Sequence, residues 1–345
     1  MPPSALGGGV IALLAGDSLE RWQNQTIELA WGDPDMRRFD VRVARSLQPL
    51  LAALLVAAAA SASAQGQAPQ AQPQAVPAPV PAAVTIPRPT AAEVQLARDT
   101  FAKFTASADA ATRSVLQKYP NLLEVRPPQP NTAILPSLAP AFQAKHEANK
   151  EVARQGGGEL LLVGDSITDF WRNAEGPYAG KPVLDKHFGQ WKVANFGIAG
   201  DTTQGVLYRL QNGEGQGFSP RAIMLMIGTN NTARNAAAEI AEGVGAVVLE
   251  LQRDFPQAKI LLLGVFPRGR PNDPVRATIA DINRTIAKLD DGQRVRYLDI
   301  GAKFLSPDGT ISTDVMSDLL HPTSKGYEIW AQAVKEPLTA LMAGR

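Results

Sequence analysis

The chain has 345 residues, of which 45% are hydrophobic and 19% are charged, and its formal net charge is +1. This composition is ordinary for a globular protein, and the near-zero charge gives no reason to expect nucleic acid or an anionic membrane surface as the main partner. Cysteine is absent, which excludes disulfide bonds, thiolate nucleophiles and cysteine-ligated metals.

Residues 36–64 have the pattern of a secretory signal peptide. Arginines open the segment, an apolar run extends from Leu47 to Ala60, and Ala62-Ser63-Ala64 fits a cleavage site before Gln65. The run is shorter than the roughly 20 residues that a membrane span needs. An uncleaved N-terminal anchor remains an alternative. We therefore expect a secreted or periplasmic protein without a membrane span in its mature form.

Two further segments flank this signal. Because signal peptides begin a chain, we interpret residues 1–35 as an over-extended N-terminus and Met36 as the true start. Residues 65–89 are rich in Ala, Pro and Gln and show no hydrophobic periodicity. Such a segment buries too little apolar surface to offset its ordering entropy, so we predict a disordered linker there.

Residues 90–155 form what we call the N-terminal helical segment. Apolar side chains recur at helical spacing from Thr90 to about Tyr119, and a proline-rich connection follows. Ala141–Arg154 is predicted to be another helix, ended by the glycines at 156–158. The pattern leaves open whether this segment covers the following domain or holds it away from a surface.

Residues 156–345 alternate between strand and helix patterns. Short apolar and β-branched runs predict strands, and longer amphipathic stretches between them predict helices. The predicted strands are 159–163, 192–196, 221–227, 259–265 and 295–300, and the predicted helices are 203–210, 236–253, 273–289 and 323–341. This alternation favours a parallel sheet covered on both faces, with ligands at the carboxyl ends of its strands.

Ser166 follows the first predicted strand, in the sequence Gly164-Asp165-Ser166. A serine at a strand-to-helix junction has a hydroxyl on a fixed turn and an N–H at a helix N-terminus, where negative charge is favoured. The same pattern also occurs for an ordinary serine cap. Ser166 is therefore a candidate nucleophile that needs a base.

Histidine is the usual base for serine, and the chain has three. We expect His146 and His187 to be surface or packing residues. His321 lies just before the last predicted helix, and Asp318, three residues upstream, is placed to fold back onto its imidazole and fix its tautomer. Asp-x-x-His also occurs in metal sites, but no second cluster of ligands supports a metal here.

Two loops offer donors for a developing oxyanion. Gly200 lies in the loop after the second strand, in NFGIAGDTT, and glycine lets a backbone N–H approach a substrate closely. Asn230 lies after the third strand, in GTNN, with a side-chain amide as a further donor. Each feature alone is also typical of an ordinary loop glycine or helix-capping asparagine.

The blocks GDS, NFGIAGDTT, GTNN and DLLHP, in this order, resemble the motifs of SGNH (GDSL-type) hydrolases from about Gly158 to the C-terminus. The second block and LGVFPRG resemble most the catalytic subunits of intracellular platelet-activating-factor acetylhydrolase. The resemblance implies a flavodoxin-like three-layer α/β/α fold with a five-stranded parallel sheet. It also implies a Ser166, His321 and Asp318 triad, oxyanion donors from Ser166, Gly200 and Asn230, and no metal or cofactor.

The expected reaction is hydrolysis of short-chain, most simply acetyl, esters. Ile167 and Leu320 flank the nucleophile and base, and with Thr229 they predict a short acyl pocket. Since many exported SGNH enzymes deacetylate polysaccharides, we expect a carbohydrate or small-molecule ester substrate. The alternatives are a lysophospholipase or thioesterase acting on longer chains, a transacylase, and a non-catalytic carbohydrate-binding protein. The pattern does not predict the oligomeric state.

Overall fold

The computed structural model describes residues 76–119 and 129–343. The predictions for residues 1–35, for the signal peptide at 36–64 and for the linker at 65–75 lie outside these residues. The strands are β1 Leu160–Gly164, β2 Val193–Asn195, β3 Ala222–Met226, β4 Lys259–Leu263 and β5 Val295–Leu298. The helices are α1 Ala91–Ser107, α2 Ala110–Lys118, α3 Gln143–Arg154, α4 Ser166–Asp169, α5 Lys181–Phe188, α6 Thr203–Arg209, α7 Ala237–Asp254, α8 Pro274–Ile286 and α9 Ser324–Ala343.

The five strands form one sheet in the order β2-β1-β3-β4-β5, and every neighbouring pair is parallel. This is the flavodoxin-like order, in which the strand sequence reverses direction between β1 and β3. The prediction of a flavodoxin-like α/β fold with a five-stranded parallel sheet is confirmed. Ligands bind at such a reversal, so the carboxyl ends of β1, β2 and β3 are the expected place for a site.

Alternate strand residues face opposite layers of helices. Leu161 and Val163 of β1 point into a core shared with α6, α7 and α8, whereas Leu160 and Leu162 point into a second core shared with α5 and α9. All four side chains are at most 1% exposed. Because side chains alternate along a strand, continuous apolar runs are what a sheet covered on both faces requires.

Helix α5 was not predicted from the sequence. It has only eight residues, and the buried face formed by Val183, Leu184, His187 and Phe188 is too short for a clear periodic signal. Helix α9 extends two residues beyond its predicted end, and α8 ends at Ile286, where a 3₁₀ turn continues to Leu289.

Residues 76–89, which we call the strap, differ from the predicted disorder. Ile86 N–H donates to Glu242 Oε1 at 2.7 Å, and Arg88 binds both carboxylate oxygens of Glu242 at 2.8 and 2.5 Å. Val84 is 4% exposed, and a Cβ on Gly245 of α7 would lie 2.6 Å from its Cγ2. Hydrogen bonds and this close approach to α7 supply the contacts that composition alone did not reveal.

The N-terminal helical segment is divided where the sequence pattern suggested one continuous helical stretch. Ala108 is extended, and Asp109 caps α2 by accepting from Thr112 N–H at 2.7 Å. Helix α3 contacts the sheet domain closely and buries His146, Asn149 and Ala153. Among residues 76–119 and 129–343, no helix is both long and apolar enough to cross a bilayer.

Candidate active site

Ser166 and His321 lie in direct hydrogen-bonding contact. Ser166 is the first residue of α4, directly after β1, and its Oγ is 2.9 Å from His321 Nε2. His321 Nδ1 is 2.6 Å from Asp318 Oδ2. With the imidazole proton on Nδ1 and donated to Asp318, Nε2 is free to accept the serine proton. The structure therefore brings the three predicted residues together in a geometry suited to nucleophilic attack.

The turn from Asp318 to His321 is held rigidly. Asp318 Oδ1 accepts from the N–H groups of Leu320 and His321 at 3.1 and 2.8 Å. Although partial burial alone raises the pKa of Asp318, these N–H donors and the His321 imidazole bring it below its usual value. The carboxylate thus stays ionised, as an orienting partner of the base must.

Leu319, within this turn, has a φ of 60°, in the left-handed region that non-glycine residues rarely adopt. Such a conformation costs about 1–3 kcal/mol and persists only where its surroundings enforce it. One such contact comes from the loop after β4, where Gly269 N–H donates to Leu319 O at 2.8 Å. Sequence patterns carried no signal for Leu319, because its backbone conformation is set by the fold.

The predicted oxyanion donors come from the ends of β1, β2 and β3. Asn230 Nδ2 donates to Asp201 O at 2.8 Å, which fixes its amide beside the loop of Gly200. Gly200 has a φ of 86°, and a Cβ there would lie 3.3 Å from the ring of Phe142. The N–H groups of Ser166 and Gly200 donate to no acceptor within the described residues. Each of the three groups has an N–H to offer a developing negative charge.

A buried ionic network lies behind this loop. Arg209 Nε donates to Asp201 Oδ2 at 2.9 Å, and the same guanidinium binds Glu214. His146 Nδ1 is 2.9 Å from the other oxygen of Glu214, and Asn149 Nδ2 donates to that oxygen at 3.2 Å. All five residues are at most 4% exposed. The network joins α3 to the oxyanion loop.

The structure also decides the roles of the two other histidines. His146 is 1% exposed, so of the two predicted roles the packing role is correct and the surface role is wrong. His187 is 9% exposed, and its Nε2 lies 2.9 Å from Glu328 Oε1. Both histidines pair with carboxylates far along the chain, and neither contacts the triad. In the described part of the chain, no group of His, Asp and Glu side chains is arranged to hold a metal ion.

Asp169 is a further supporting residue that sequence reasoning missed. It is 3% exposed, accepts from Ala199 N–H at 3.0 Å, and pairs with Lys145 and Arg172. Ala199 immediately precedes Gly200, so the helix of the nucleophile directly supports the oxyanion loop. The only sequence signal was an acidic residue three positions after Ser166. Its supporting role can be recognised only when the fold places it beside the loop that contains Ala199 and Gly200.

Asp165 precedes the nucleophile and is completely buried. Its Oδ1 accepts from Ile167 N–H at 3.0 Å, whereas its Oδ2 has no hydrogen-bond partner among the described residues. Burial raises the pKa of Asp165 to about 7, and the nearby Asp201 carboxylate acts in the same direction against the Ile167 N–H and Arg268. Near neutral pH, this carboxyl is therefore close to its protonation midpoint.

The three predicted pocket residues differ in burial. Ile167 and Thr229 are 1% and 2% exposed, and Ile167 packs within the α5 and α9 core. Leu320 is half-buried, directly before the base. Thr229 Oγ1 lies 3.4 Å from an Arg268 guanidinium nitrogen. Their role as an acyl pocket stays a prediction, with Leu320 the most accessible member.

The part of the chain that holds this site is similar to known proteins. The model of the GDSL-like lipase/acylhydrolase family matches residues 162–329. The platelet-activating factor acetylhydrolase IB subunit alpha2 of Rattus norvegicus is 37% identical over 185 residues, covering 53% of this chain and 77% of that protein. The alpha1 subunit of the same species is 33% identical over 186 residues, covering 54% and 77%. A solved acetylxylan esterase from Geobacillus stearothermophilus is 23% identical, with a TM-score of 0.42 and coverages of 55% and 96%.

Proposed function

Because the chain belongs to the GDSL-like lipase/acylhydrolase family, we propose that it is an exported serine esterase that removes acetyl groups from carbohydrate esters. The observation that carries the chemistry is the contact of 2.9 Å between Ser166 Oγ and His321 Nε2, with Asp318 behind the histidine. A weak nucleophile is activated in this way by a base that a third group orients.

The reaction proceeds in two acyl transfers. His321 Nε2 takes the proton of Ser166 as its Oγ attacks the ester carbonyl, and the new oxyanion accepts from Ser166 N–H, Gly200 N–H and the Asn230 amide. Collapse breaks the bond to the alcohol oxygen, which receives the proton from His321. Water then gives a proton to His321 as its oxygen attacks the acyl-enzyme. Collapse breaks the acyl bond to Ser166 Oγ, which receives this proton from His321, and the free acid is released.

Two considerations support a short acyl group. Leu320, directly before the base, is half-buried and Thr229 is buried, and we expect them to bound a short acyl pocket. The similar mammalian proteins are named acetylhydrolases, which agrees with acetyl as the transferred group. The carbohydrate part of the proposal rests on the expected export, since an exported esterase meets polysaccharides outside the cytoplasm.

Hydrolysis of p-nitrophenyl acetate, butyrate and octanoate by the full chain tests the mechanism. We expect the rate to fall with chain length and to be lost, by several orders of magnitude, in Ser166→Ala. Ser219→Ala, an exposed serine before β3, serves as the matched control with wild-type rates. Octanoate as the best substrate would favour the lysophospholipase or thioesterase alternative. Equal rates in wild type and Ser166→Ala, or none in either, would favour a binding protein.

Asn230→Ala tests the oxyanion assignment separately. Loss of one donor is expected to lower kcat by roughly 10²–10³ with little change in KM, because the donor acts on charge that appears in the transition state. Activity within twofold of wild type in the folded variant would contradict this role for Asn230.

Export is tested on the chain expressed in a bacterial host. Cleavage after Ala64 predicts a periplasmic or extracellular product that begins at Gln65, which intact-mass measurement detects. A product found in the membrane fraction with residues 36–64 retained would instead support the N-terminal anchor.

A further inference from the structure

Two aromatic rings border the catalytic histidine. The rings of Phe170 and Tyr178 are stacked, with centroids 5.6 Å apart and planes 15° from parallel. Each ring centroid lies 5.2 Å from that of His321, at interplanar angles of 41° and 53°. The three rings thus form a contiguous cluster that starts directly after the helix of the nucleophile.

This aromatic pair is held in place at its backbone but is not fully buried. Gly180 N–H donates to Phe170 O at 3.3 Å, and Asn173 Nδ2 donates to Tyr178 O at 3.4 Å. Ser324, at the start of α9, donates to Ala179 O at 2.8 Å. Both rings are half-buried, and the Tyr178 hydroxyl forms no hydrogen bond with any described residue. The pair therefore presents a fixed apolar surface with a polar tip.

The reaction defines which part of an ester lies beside these rings. His321 Nε2 must give its proton to the oxygen of the leaving alcohol, so this alcohol is held against the imidazole. The carbonyl oxygen is directed elsewhere, towards Gly200 and Asn230 at the ends of β2 and β3. Phe170 and Tyr178 touch His321 and belong to neither the triad, the oxyanion loops nor the predicted acyl pocket, so we place the leaving alcohol beside their rings.

We propose that Phe170 and Tyr178 form the subsite for the leaving alcohol and select esters of ring-shaped alcohols, namely sugar acetates. This inference rests on the proposed function and specifies its substrate class. A pyranose ring has a flat C–H face that packs on an aromatic ring, and hydroxyls at its edge for the Tyr178 hydroxyl. A linear glyceryl or ethyl group has no such face, so it gains less from the same surface.

The test varies the alcohol while the acyl group stays acetyl. Initial rates are measured on a monoacetylated methyl β-xylopyranoside, which keeps free ring hydroxyls, on triacetin and on ethyl acetate, with the wild-type full chain, Tyr178→Ala, Tyr178→Leu and Tyr178→Phe. We expect the ratio of kcat/KM for the sugar acetate to that for ethyl acetate to fall about 3–10-fold in Tyr178→Ala, the loss typical of one aromatic contact. Tyr178→Leu keeps apolar bulk without a flat face, so we expect a similar fall in this ratio. Tyr178→Phe keeps the aromatic ring, so we expect it to retain most of the wild-type ratio.

Two controls separate this subsite from other roles. Tyr119→Ala removes a 51% exposed tyrosine just after α2 and leaves the wild-type ratios unchanged. The ratio of p-nitrophenyl acetate to butyrate rates, in which the alcohol is constant, stays the same in all Tyr178 variants. The subsite is refuted if Tyr178→Ala lowers kcat/KM equally for every ester, or if it keeps the wild-type ratio of sugar acetate to ethyl acetate. In either case, hydrolysis of p-nitrophenyl acetate through Ser166 would leave the proposed esterase function intact. A wild type that hydrolyses no ester refutes both.

Discussion

The buried carboxyl of Asp165 makes the stability of this protein depend on pH in a direction opposite to that of most carboxylates. Its side chain is completely buried, and burial raises its pKa from 3.8 to about 7. A carboxyl whose pKa is higher in the folded state binds its proton more tightly there than in the unfolded chain. Its stabilising contribution is therefore fully present below about pH 4 and is lost as the pH rises through about 7.

The expected size follows from these two values. The interval between 3.8 and about 7, at 1.36 kcal/mol per pH unit, corresponds to about 4 kcal/mol. In Asp165→Asn, the amide oxygen still accepts from Ile167 N–H, and the titration is removed. The amide NH₂ of the variant takes the place of Oδ2, which has no partner, and any cost of this is independent of pH. It therefore adds a constant to the difference in unfolding free energy between wild type and variant.

Urea unfolding at several pH values between 4.5 and 8, followed by tryptophan fluorescence, measures this contribution. Trp171 and Trp330 are fully buried and report on the core beneath the site. We expect the wild-type free energy of unfolding, relative to that of Asp165→Asn, to decrease by most of the 4 kcal/mol over this range. The control Asp314→Asn, at a side chain that is 75% exposed, gives a constant difference. A difference for Asp165→Asn that varies by less than 1 kcal/mol would refute the reasoning.

Three other substitutions test the supporting structure. Arg209→Met leaves the buried carboxyls of Asp201 and Glu214 without their cation and is expected to cost about 3–5 kcal/mol in urea unfolding; an unchanged midpoint would contradict the network's role. Gly200→Ala places a Cβ at a positive φ and 3.3 Å from the ring of Phe142, so kcat should fall about 10-fold or more. Adding Phe142→Ala should restore only part of this loss, whereas a wild-type kcat in Gly200→Ala would show that the loop tolerates a Cβ. Arg88→Ala removes the strap's ion pair with Glu242 and should lower the free energy of unfolding by about 1.5–3 kcal/mol, whereas no change would mean that the strap contributes little.

Most strands and helices could be predicted from the sequence because they depend on local hydrophobic periodicity. All five strands lie within or one residue beyond their predicted ranges, and β1 and β3 are continuous apolar runs in which every residue is buried. The errors fell where local patterns are weak or where distant contacts decide. The eight residues of α5 were too few to show a period. The strap was predicted to be disordered from its composition, and its contact with Glu242, more than 150 residues away, has no local signal.

The sequence by itself was enough to predict the candidate catalytic residues of this protein, because these residues are grouped in short motifs. Asp318 and His321 meet within one turn, and Ser166, Gly200 and Asn230 follow three strands whose carboxyl ends share one edge of a parallel sheet. Only the tertiary structure decided what holds these groups in place. Three features depend on segments brought together by packing: the contacts of His146 and Arg209 with Glu214, the strained backbone of Leu319, and the Phe170–Tyr178 pair beside His321. A pattern along the chain has no signal for such contacts, because their energy depends on distance in space and on burial, not on spacing in sequence.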